Sequence, residues 1–228
     1  MMLRLLIILS FLSLFACQSN SSKLEDLTVN LAEQIHHPGK IGQFKLATGE
    51  LHRLLDDLHQ ISMGWDDIGV VYPFHQFELS DIQIMDTTAY AIVNEENPVE
   101  FIQIHDQWLI HNFDWLEMQL TGLAFILATS SKQFSFAVNL ASSSLKESVF
   151  LVQHYEKMCC DKSQQHILKA PVSILSASIQ KMSGSILYQL EDKKYKLSLI
   201  KENKCWKVEA WPLLQAGLVM DQSASDPG

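Results

Sequence analysis

Phe101-Ile102-Gln103-Ile104-His105-Asp106-Gln107-Trp108-Leu109-Ile110 runs as an apolar strand, a short polar break and a return led by tryptophan. Alternation with a period of two argues for strand, and a short polar break between two such runs argues for a hairpin. The same order recurs in Leu197-Ser198-Leu199-Ile200-Lys201-Glu202-Asn203-Lys204-Cys205-Trp206-Lys207-Val208. Each hairpin closes a longer run of strand-like segments, and each run follows helix-like segments.

In the first half, Leu24, Leu27, Leu31 and Ile35 form one helical stripe over Lys23 to His37, stopped by Pro38-Gly39. A second helix is predicted from Gly42 to Ser62 on Phe44, Ala47, Leu51, Leu54, Leu55, Leu58 and Ile61. After Gly64 the period shortens. Ile68–Tyr72, Phe77–Ile84 (with a bulge where the spacing slips between Leu79 and Ile82) and Ala89–Val93 precede the hairpin as strands. The second half restarts with helix. Asp114 with Glu117, and Ser144 with Glu147, have the spacing of a capping box. Phe134 to Leu140 reads equally as helix or strand. Strands return at Val172–Met182, Gly184–Leu190 and Lys193–Ile200. These patterns predict an α+β fold, with helices packed on curved antiparallel sheet and two similar subdomains over residues 23–113 and 114–213. Independent convergence of two hairpins is the alternative to a duplication. The closing piece from Lys193 to Trp211 looks like the end of an NTF2-like domain, which implies helices lying across a strongly curved sheet. A cystatin-like helix-on-sheet arrangement fits as well. Neither resemblance transfers a catalytic residue.

The chain opens on Arg4, an apolar run from Leu5 to Ala16, and Cys17. A positive start, a short apolar stretch and a small residue before the cut are the marks of a secretory leader. Leu14-Phe15-Ala16-Cys17 resembles the lipobox of bacterial lipoproteins. The resemblance implies removal of residues 1–16, lipidation of Cys17 and attachment to a bilayer through N-terminal acyl chains. An uncleaved anchor is the alternative, but the apolar run is shorter than the ~20 residues of a spanning helix. Gln18, in place of an aspartate, implies outer-membrane sorting within the bacterial cell envelope. Residues 17–22 read as a polar tether, and 214–228 as a polar tail.

Without Arg4 the mature chain carries 16 basic and 26 acidic residues, a net charge of −10. Phosphate binding needs a clustered basic surface, so this balance argues against a nucleic-acid partner. With Cys17 given to lipid, Cys159, Cys160 and Cys205 remain. The envelope is oxidising, and adjacent cysteines bridge each other poorly, so Cys159 or Cys160 with Cys205 is the candidate disulfide. Three buried thiols are the alternative.

Other clusters weigh against chemistry. His52, Asp56 and His59 share a helix face at ligand spacing, but a solvated flank explains them better. His154, Cys159, Cys160 and His166 match no zinc template. The pairs Asp56-Asp57, Asp66-Asp67 and Glu95-Glu96 diverge on helices or turns rather than converge as acid and base. Trp65, Trp108, Trp115, Trp206 and Trp211 serve the core better than a ligand cavity. No metal, cofactor or catalytic residue is therefore assigned. The leading expectation is a non-enzymatic envelope lipoprotein that binds or scaffolds a protein partner. The alternatives are a small-ligand binder with an apolar pocket, or an NTF2-like enzyme using Asp66, Asp67 or His75.

Overall fold

The computed structural model describes residues 20–37, 45–62, 70–71, 77–150, 153, 172–190 and 192–211. Helix α1 spans residues 20–36. It is followed by α2 (Gly49–Ser62), β1 (Val70–Val71), β2 (Leu79–Met85), β3 (Thr88–Val93), β4 (Asn97–Ile104) and β5 (Gln107–Asn112). Then come α3 (Asp114–Ser130), α4 (Phe134–Leu140), β6 (Val172–Gln180), β7 (Ser183–Leu190), β8 (Lys193–Glu202) and β9 (Cys205–Ala210). The fold is α+β. One sheet runs β2-β3-β4-β5, and the other runs β1-β6-β7-β8-β9.

The two four-stranded meanders repeat each other in register. The inward row Ile84–Ala89–Phe101–Ile110 has the counterpart Ile179–Gly184–Leu199–Val208. The outward row Gln83–Tyr90–Glu100–Asn112 has the counterpart Ser178–Ser185–Ser198–Ala210. Between the last two strands the register slips once, at Glu100/Phe101 in one sheet and at Ser198/Leu199 in the other. The turns match too. Asp86 and Lys181 open their loops at positive φ, and both residues of the last loops, His105-Asp106 and Asn203-Lys204, have positive φ. A short extended segment lies parallel to the last strand of each meander, bridging Ala47 to Ile110 and Ala141 to Val208.

Strand β1 breaks this symmetry. Val70 and Val71 follow α2 yet pair in parallel with Val172 and Ser173 of β6. The strand expected within the first antiparallel run is therefore an edge of the second sheet. The hydrophobic core is likewise continuous, from Leu24 and Leu31 of α1 to Trp206 and Val208 of β9.

Helix α3 lies at its centre. Every residue from Leu116 to Thr129 is buried, as expected of a helix apolar on all sides. It packs on α2, α4 and β9. Close approach to the second sheet depends on two missing side chains. A Cβ on Gly122 would stand 2.4 Å from Ile186 Cδ1, and one on Gly184 would stand 2.2 Å from Met118 Sδ.

Several local expectations change. Helix α2 begins at Gly49 rather than Gly42, because residues 46–48 give their backbone to β5. The Ile110 N–H donates to the Leu46 carbonyl, and the Thr48 N–H to the Ile110 carbonyl. Residues 20–22, read as tether, are already helical. The Asp114–Glu117 capping box does not form: Phe113 occupies the N-cap with no side-chain hydrogen bond. At the second expected box, Ser142 Oγ rather than Ser144 accepts from the Leu145 N–H at 3.3 Å. The slip in β2 is present, as a register shift between Ser80 and Gln83.

Candidate functional site

Two places gather chemistry. The first is a charged cluster where α2 meets β9. Arg53 sits at i+3 from Glu50 and i−4 from Asp57, on one face of α2. Its guanidinium donates to both Glu50 oxygens, at 2.9 and 2.5 Å, and to Asp57. Cys205 and Lys207 reach the cluster from β9, close enough for each to act on the Glu50 carboxylate. Burial alone would raise the Glu50 carboxyl, but the Arg53 hydrogen bond and charge outweigh it and hold it below the usual range. Burial keeps Asp57 above its usual value despite Arg53. Burial and the adjacent Glu50 push the Cys205 thiol up. A protonated thiol is a poor nucleophile and a poor metal ligand, and both carboxylates are engaged by Arg53. The cluster ties two elements together rather than presenting a reactive group.

The first turn of α3 extends this network. Asp114 accepts from Lys201 Nζ and from Trp206 Nε1, each at 2.6 Å. That is where the carboxylate expected to cap its own helix is used. Glu117 is buried one turn on. Burial first, then Asp114 and Glu50, raise its carboxyl to about 7, with Lys201 opposing.

The second place is the outward face of the first sheet. Tyr90, Met85 and Ile104 are 43, 54 and 41 % exposed there, around the half-buried Ile102 and Ile92. The row Met85–Thr88–Ile102–Leu109 corresponds to Gln180–Ser183–Ile200–Lys207 in the second sheet. Tyr90 corresponds to Ser185, and Ile104 to Glu202. One backbone plan thus exposes Met85, Tyr90 and Ile104 in one copy, with Leu109 at the β5 end of the row buried, and carries polar side chains at the matching positions in the other.

The expected sites fall out as follows. His52 Nε2 lies 3.6 Å from Asp56 on an exposed surface, and no group of three metal-ligating side chains forms among the described residues. Trp108, Trp206 and Trp211 are buried in the core. Cys205 carries a free thiol. Cys17, Trp65, Asp66, Asp67, His75, His154, Cys159, Cys160 and His166 lie outside the described residues. No described helix is long and apolar enough to cross a membrane.

The sequence reading passed over Arg53, Lys207 and Glu117, which are meaningful only through distant neighbours. It also passed over the exposed face, although one signal was present: no lysine or arginine occurs between Arg53 and Lys132. No family model, curated protein or solved structure matches this chain.

Proposed function

We propose that the protein is a lipid-anchored binding protein of the bacterial cell envelope, docking a protein partner on the outward face of its first sheet. The supporting observation is the contrast between the two sheets. Where the second sheet places Gln180 and Ser185, the first exposes Met85 and Tyr90 at matching register positions. Exposed contiguous apolar surface on a soluble body marks interaction sites. The lipobox supports the anchor, with Cys17 as the acylated residue.

Photo-crosslinking in intact cells tests this reading. A benzophenone side chain at position 90 is expected to give a discrete adduct, and the same group at position 185 none. Equal labelling from both faces, or no adduct from position 90, overturns it. For the anchor, Cys17→Ala is expected to move the protein from the membrane to the soluble fraction. Continued membrane association would refute lipid attachment.

A further inference from the structure

We infer that the partner docking on the first sheet presents an apolar centre rimmed by lysine or arginine. This rests on the binding face proposed above. It adds the charge of the occupant.

The argument starts from composition by element. Residues Phe77 to Phe113, which contain the first meander, hold seven carboxylates and no lysine or arginine. Residues Val172 to Trp211, which contain the second, hold seven lysines and four carboxylates. The sheets share one plan and carry opposite charge balances. On the first, the carboxylates stand around the exposed apolar group. Glu100 pairs with Tyr90 across the strands. Asp86 follows Met85 in the exposed β2–β3 turn, and Asp106 lies two residues beyond Ile104 in the β4–β5 turn. Asp81 is exposed at the bulge. Lys45 is the basic residue lying alongside, where Gln107 Nε2 donates to its carbonyl.

An apolar centre within a one-sign rim selects its occupant by charge. Complementary rims accelerate association, and like charges placed opposite each other cost several kcal/mol. A second copy joined face to face would set carboxylates against carboxylates, since a two-fold interface uses the same patch twice. An anionic bilayer surface is repelled for the same reason. A cationic amphipathic protein surface satisfies both the apolar centre and the rim.

The test uses the mature chain with Cys17→Ser, made without the leader so that no detergent is needed. The probes are two amphipathic peptides with the same leucine face, one bearing lysine and the other glutamate on its polar face. The lysine peptide is expected to bind, and the glutamate peptide at least about tenfold more weakly. Met85→Gln with Tyr90→Ser installs the residues that the second sheet already carries, so the fold is retained. It is expected to weaken the lysine peptide at least about tenfold without changing net charge. Asp86→Lys with Glu100→Lys is expected to do the same. Glu25→Lys with Asp26→Lys, an equal charge change on exposed positions of α1, is expected to leave binding intact.

If the α1 variant loses as much as the sheet variant, the attraction is general and the inference fails. If both peptides bind equally while Met85→Gln with Tyr90→Ser still abolishes binding, the face stands and its cationic partner is refuted. If that variant binds like the parent, the face itself is refuted. A dimer in sedimentation, or flotation with phosphatidylcholine–phosphatidylglycerol vesicles, that the same variant abolishes would assign the face to a second copy or to lipid and overturn the inference.

Discussion

Trp108 and Trp206 hold matching positions at the start of their return strands, yet they differ in one hydrogen bond. Trp206 Nε1 donates to Asp114 at 2.6 Å, while the buried Trp108 Nε1 has no partner among the described residues. Replacing a partnered donor leaves a carboxylate short of a bond, whereas removing an unpartnered one does not. Trp206→Phe is therefore expected to destabilise the protein more than Trp108→Phe, by about 1–2 kcal/mol, in urea titrations at neutral pH. Glu117 sets a second expectation. Its carboxyl is raised from the usual 4.5 to about 7, so the folded chain keeps a proton that the unfolded chain releases. Stability then falls as pH rises from about 4.5 to 7, and the loss is complete above 7. Glu117→Gln is expected to flatten that slope. It should gain up to about 3 kcal/mol at pH 8 and nothing at pH 4. An unchanged slope in the variant would show that another group titrates.

Among the elements, the hairpins were legible and several of their neighbours were not. Alternation and a polar break are local properties, so β4–β5 and β8–β9 could be read from contiguous residues. The slip in β2 was readable for the same reason. The start of α2 was not, because Leu46 and Thr48 spend their backbone groups on Ile110, more than 60 residues away. The capping box at Asp114 failed similarly, since Lys201 and Trp206 compete for that carboxylate. The cluster of Glu50, Arg53, Asp57, Cys205 and Lys207 was invisible, because Cys205 and Lys207 arrive from the far end of the chain. The last turns also use residues that local preference disfavours. Both central positions of a two-residue turn with positive φ favour Asn-Gly, and here they are His105-Asp106 and Asn203-Lys204. A non-glycine residue at positive φ costs about 1 kcal/mol. Lys204→Gly is expected to raise stability by roughly 0.5–1 kcal/mol, measurable as an upward shift of the thermal midpoint. A lowered midpoint would mean that the Lys204 side chain makes a contact that outweighs the strain.

For the molecule as a whole, the repeat does not make two independent bodies. Helix α3 belongs to the second half in chain order and is buried on all sides. β1 comes from the first half and completes the second sheet. Residues 114–211 expressed alone are expected to show no cooperative unfolding transition, while a chain that holds both halves unfolds in one. Cooperative folding of that fragment would show that the second half is self-sufficient. The charge division was present in the sequence at this scale, as a long span without a basic residue. It carried no meaning until the structure put the strands of that span from Leu79 to Asn112 on one sheet and the lysines of β8 and β9 on the other.

The crossing of β1 also bears on the order of events in folding. Val70 finds Val172 across 102 residues of chain, whereas each meander closes through turns of two or three residues. Loop closure over such a span is entropically slower than hairpin formation. The meanders therefore form first, and the β1 ladder closes last. A chain emerging N-terminus first exposes β1 long before its partner strand exists. Until β6 arrives, that edge is open to whatever strand is nearest, including one from a neighbouring chain.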